Sequence, residues 1–77
     1  MTAILFTEHD LDQLRQALAA EREISLTRSL GELTMRVSTC KAVPVWPCDM
    51  LIELIQSRSN MYSRQYFISV EEMMRYI

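Results

Sequence analysis

The sequence predicts an α+β fold: a capped helix, a β-hairpin, a second helix, a short strand and a C-terminal helix, all in one small domain over residues 1–77. Three observations predict it. A capping pattern near the start precedes leucines at helical spacing, two runs of alternating apolar residues flank the only glycine, and a second pair of cap residues opens an apolar stretch at the end. The rival is an all-α bundle in which residues 30–41 are helical.

The first helix is read over residues 8–22. Thr7 is placed to cap it, and Asp10 three residues on completes a capping box with aspartate in place of the usual glutamate or glutamine. Phe6 and Leu11 are spaced as a hydrophobic staple. Glu8 and Asp10 put negative charge in the first turn, where the helix dipole favours it. Leu11, Leu14 and Leu18, with Ala17, form one apolar face, and Asp12, Gln13, Arg15 and Gln16 lie opposite.

The middle admits two readings. Ile24 and Leu26 alternate with Ser25 and Thr27, and Leu33, Met35 and Val37 alternate with Thr34, Arg36 and Ser38, which reads as a hairpin around a loop of about five residues, 28–32. Alternatively, Ser29 and Glu32 cap a helix with Leu30, Leu33 and Val37 on one face. Thr34, Val37, Ser38 and Thr39 are poor helix formers, and Gly31 would cost about 1 kcal/mol there.

Pro44 and Pro47 keep residues 41–47 extended or turning. A helix is expected to begin at Pro47 or Asp49, with Met50, Leu51, Leu54 and Ile55 as its buried stripe, Ile52 widening it, and Asn60 as its left-handed stop. Residues 62–69 are aromatic and β-prone. Ser69 and Glu72 then box the start of a final helix over Val70–Ile77 of about two turns, marginal without packing or a second copy of the chain.

Composition narrows the function classes. Hydrophobic residues make up 49% of the 77, which excludes a disordered chain. One histidine, one glycine and two cysteines leave no set from which to assemble a nucleophilic centre, a phosphate cradle or a metal site. No enzyme, metal or cofactor is expected. Cys40 and Cys48 lack a metal-binding spacing, and no leader or span of about 18–20 apolar residues is visible, so a cytoplasmic protein with two reduced thiols is expected. A Cys40–Cys48 disulfide would require the two prolines to turn the chain back on itself.

The net charge is −2, spread unevenly: residues 1–23 carry −3 and residues 24–48 carry +2. A weakly acidic chain does not suit the nucleic-acid backbone. Seven of the eight basic residues are arginine, which is enriched at protein interfaces. His9 reads as an exposed residue in the first turn, and Glu71 and Glu72 as a dipole-favoured helix start rather than a catalytic pair.

Contact is therefore the expected mode of action: a small non-enzymatic protein that binds and modulates another protein, of the compact kind that phages and mobile elements often encode. Trp46 in its rigid Val-Trp-Pro setting is either an interface anchor or the centre of the core. Arg58, Tyr62, Arg64 and Tyr66 interleave cations and aromatics, and with Trp46 they are the expected partner contacts. The same interleaving suits stacking on bases, so a nucleic-acid-binding regulator is the alternative. Six methionines and the short last helix point to self-association through Met73, Met74 and Ile77, giving a homodimer.

Overall fold

The structure is a computed structural model that describes residues 5–42 and 49–76. Within them the elements run α1 (Glu8–Ala19), β1 (Ser25–Leu30), β2 (Leu33–Lys41), β3 (Met50–Arg58), β4 (Met61–Phe67) and α2 (Val70–Tyr76). The four strands form one antiparallel sheet in the order β1-β2-β3-β4, and both helices pack on one of its faces.

Helix α1 begins as its sequence demands. The Asp10 backbone N–H donates to Thr7 Oγ1 at 3.1 Å, and the Thr7 N–H donates to the Asp10 carboxylate at 3.1 Å. Phe6 and Leu11 are both buried, as a staple requires. Arg28 on β1 donates to the same carboxylate at 3.0 Å and lies over the Phe6 ring at 5.9 Å, tying the helix start to the sheet. The backbone bond from Thr7 and then the Arg28 charge hold the Asp10 carboxyl below its ordinary range, against the opposing effect of burial.

The helix stops at Ala19, three residues short of the expected end. Glu21 takes a left-handed φ of 54°, the Arg22 N–H donates to Ala17 O and the Glu21 N–H to Leu18 O. These two bonds make a Schellman motif, with glutamate where glycine is favoured.

The hairpin reading of the middle is correct, and the all-α alternative is overturned. β1 and β2 pair from Ser25↔Ser38 to Leu30↔Leu33, leaving a loop of only two residues. Gly31 at φ 61° takes the first loop position, where a tight hairpin turn needs positive φ. Thr39 extends the pairing: its hydroxyl donates to Arg22 O at 2.6 Å and accepts the Ile24 N–H at 2.8 Å.

The expected second helix is a strand. Met50–Arg58 forms β3, paired with β2 on one side and β4 on the other. As an inner strand it is buried on both faces, and its continuous apolar run mimics a helical stripe. Asn60 is accordingly no helix stop: it shares a two-residue hairpin turn with Ser59, and Ser59 takes the left-handed φ of 53°.

β4 and α2 fall close to their expected places. The Glu72 N–H donates to Ser69 Oγ at 3.1 Å, and the Glu72 carboxylate reaches back to the Ile68 N–H at 3.2 Å, one residue before the reciprocal partner of a capping box. The core lies between the sheet and the helices and includes Leu11, Leu14, Met35, Val37, Ile52, Leu54, Phe67, Val70 and Met73.

Candidate functional site

Strand alternation assigns every sheet residue to one of two faces, and the register assembles them into rows across the four strands. The helix-side rows are apolar at their centre: Leu26–Val37–Leu54 runs through the core and ends at Gln65 on β4, with Thr39–Ile52–Phe67 beside it. On the opposite face the rows are Ser29–Thr34–Ser57–Tyr62, Thr27–Arg36–Ile55–Arg64 and Ser25–Ser38–Glu53–Tyr66. No described helix covers this face. It is small and hydroxylic toward β1, and aromatic and cationic toward β4.

Glu53 organises the second half. Its carboxylate accepts the Tyr66 hydroxyl at 3.0 Å and lies 3.6 Å from Arg64 and 3.8 Å from Arg36. Only 18% of its side chain is exposed, against 49% for each arginine. One carboxylate thus faces two guanidinium groups and leaves an excess positive charge on the surface. Arg64 also donates to the Tyr62 hydroxyl at 2.9 Å, with its guanidinium 5.9 Å from that ring. The bond to Glu53 raises the Tyr66 hydroxyl above the ordinary tyrosine range. Ile55 lies directly between Arg36 and Arg64 in register and is nonetheless buried, as expected where arginine stems lie along an apolar side chain.

Tyr62, Arg64 and Tyr66, three of the five expected partner contacts, therefore share one face of one strand. Arg58 does not join them. It takes the other parity, at the exposed hairpin tip opposite Met61. Trp46 lies outside the described residues. Arg36 and Glu53 complete the cluster and were not among the expected contacts. A sequence signal for Glu53 existed: it is the one charge inside the apolar run 50–55.

Of the three expected self-association residues, the structure describes two. Met73 is fully buried in the core, Met74 is partly exposed, and Ile77 lies outside the described residues. Helix α2 is held by its own chain: Val70 and Met73 enter the core, Tyr76 packs on Phe67 at 5.2 Å, and Glu71 meets Arg15 of α1 at 3.0 Å.

The chemistry-bearing residues stay apart. His9 is exposed on α1 and meets Gln13 at 3.3 Å. Cys40 is a free, half-buried thiol, and burial, with Glu53 and Glu23 nearby, raises it above the ordinary thiol range, the reverse of an activated nucleophile. Cys48, and with it the Cys40–Cys48 pairing, lies outside the described residues. Among the described residues no three histidine, cysteine or acidic side chains converge as metal ligands, and no helix is long and apolar enough to cross a membrane. A depression of about 250 Å³ beside the end of α1 is lined by Leu18, Ala19, Glu21, Asp49, Met50 and Ile68, with two carboxylates and no nucleophile.

Comparison of the chain with protein-family models, with curated proteins and with solved structures finds no match in any of the three.

Proposed function

We propose that this chain is a small non-enzymatic module that binds another protein and modulates it through the open face of its sheet. The observation that carries this reading is the cluster of Tyr62, Arg64 and Tyr66 with Arg36 around the half-buried Glu53. Tyrosine and arginine are the side chains most enriched where proteins meet, because each offers a large contact area together with hydrogen-bonding capacity. Both helices are committed to the core on the other face, so among the described residues no helix competes with a partner for the open face.

A nucleic-acid-binding regulator is the second reading, favoured by two exposed tyrosines on an open four-stranded sheet, an arrangement on which bases stack. Charge weighs against it. Of the arginines between residues 22 and 64, only Arg36 and Arg64 reach this face, and Glu53 sits between them.

The test is affinity capture from the native host with the tagged chain and with a Tyr62→Ala/Tyr66→Ala variant. The proposal expects a captured protein to be lost with the double variant and retained with an Asp12→Ala control on α1. Retention by the double variant would refute the face assignment. Tight, salt-sensitive retention of single-stranded oligonucleotides would favour the second reading.

A further inference from the structure

We infer that β4 accepts an extended segment of the partner as a fifth strand, and that this segment carries a carboxylate with an apolar or aromatic side chain two residues to either side of it. This rests on the protein-binding reading above and specifies the partner's chemistry.

The backbone of β4 invites such an addition. β4 is an outer strand that pairs only with β3, so among the described residues one row of its N–H and C=O groups has no partner strand. Outer strands are usually blunted by proline, lysine, a bulge or shortness. Met61–Phe67 holds no proline, glycine or lysine, and its register with β3 runs through seven pairs without a slip. Peptides join such edges through main-chain hydrogen bonds, and side chains at alternate positions supply selectivity.

The side chains specify the occupant. Along the open face β4 presents Tyr62 (61% exposed), Arg64 and Tyr66 (40% exposed). A strand added beside β4 places its own side chains about 5 Å from these three in turn. An apolar or aromatic group suits each tyrosine, and a carboxylate suits Arg64. Glu53 does not satisfy Arg64 fully, because it stands 3.6 Å away and is shared with Arg36 and Tyr66. The stripe is symmetric about Arg64, so the same pattern serves a parallel or an antiparallel segment. On the helix-side parity β4 offers Met61, Ser63 and Gln65, which impose no charge requirement.

The other edge lacks this character. The open-face residues of β1 are Ser25, Thr27 and Ser29, and two of them bond inward, Ser25 to Ser38 and Ser29 to Thr34, each at 3.1 Å. Arg28 is engaged with Asp10. A second copy of the chain suits β4 less well than the acidic segment, because two-fold pairing about Arg64 sets guanidinium against guanidinium.

The test uses the full chain, isotopically labelled, and capped seven-residue peptides of alternating threonine and phenylalanine with glutamate, glutamine or lysine at the centre. The glutamate peptide should perturb and protect the amides of residues 61–67. The glutamine peptide should bind about two- to fivefold more weakly, as for a cross-strand charge pair, and the lysine peptide more weakly still. Arg64→Glu should invert the order, and Arg64→Gln, with circular dichroism confirming the fold, should erase the glutamate–glutamine difference. Equal binding of all three peptides, no binding, perturbation confined to β1 or the helices, or β4 protection that arises from a chain dimer and disappears on dilution would each overturn the inference. So would displacement of the peptide by oligothymidylate at lower concentration than by excess peptide. If the peptides fail while Tyr62→Ala/Tyr66→Ala still abolishes capture of the native partner, only strand addition falls. If capture also survives the double variant, the protein-binding face falls with it.

Discussion

At the residue scale, two acids carry most of the specific electrostatics. Among the described residues Glu53 is the one carboxylate paired with both Arg36 and Arg64, and it accepts the Tyr66 hydroxyl. Glu53→Gln keeps the shape but removes the charge that disfavours a phenolate, so Tyr66 is expected to ionise at lower pH than in the parent, read by ultraviolet titration against the Tyr66→Phe background. Asp10 works at the other end of the molecule. Its folded carboxyl is held below the ordinary aspartate value of about 3.9, chiefly by the Thr7 N–H and then by Arg28. A depressed pKa contributes stability that is fully present above the unfolded value and is lost as pH falls through the folded one. Urea denaturation should therefore show stability declining below about pH 4, and Asp10→Asn should be less stable near neutrality with a shallower acid decline. An unchanged acid profile in Asp10→Asn would show that the box and the Arg28 contact contribute nothing.

At the scale of elements, the ends of α1 differ in quality. Its start has two reciprocal bonds, whereas its stop forces Glu21 into a conformation that disfavours side chains. Glu21→Gly should raise stability by about 0.5–1 kcal/mol, measured by chemical denaturation, because glycine adopts that conformation without a Cβ clash. A loss of stability would contradict the Schellman assignment. The same elements show what was legible in the chain. The capping box and the staple each have one physical meaning and led to the observed helix, and the alternation of Leu33, Met35 and Val37 favoured the observed strand because Thr34, Ser38 and Thr39 are poor helix formers. The run Met50–Ile55 does not. Apolar residues at 50, 51, 52, 54 and 55 satisfy a helical stripe and a strand buried on both faces equally, and only the neighbours β2 and β4 decide between them. The site followed the same rule. Tyr62, Arg64 and Tyr66 were legible because alternation within one strand puts them together. Arg36 and Glu53 arrive from two other strands through a register that no local pattern encodes. Arg58 falls apart from them because proximity in sequence says nothing of parity.

At the scale of the whole molecule, a chain of 77 residues has one thin core, and both helices are spent on one side of it. Leu54 is fully buried in that core, beside Val37 in the sheet. Leu54→Ala should cost about 2–5 kcal/mol, a large share of a total margin on the order of 5–15 kcal/mol, and so lower the urea midpoint markedly. Cooperative unfolding at nearly the parent urea midpoint would contradict this description of the core. The remaining face of the sheet contributes less to the core, and there the chain carries Tyr62, Tyr66, Arg36 and Arg64 together. The most direct test of that division is an amide-resolved footprint of the labelled chain mixed with a protein it captures from its host. Signal loss concentrated at residues 36, 53, 55 and 61–67, with α1 unaffected, is the expected result. A footprint on α1 and α2 that spares these strands would contradict it.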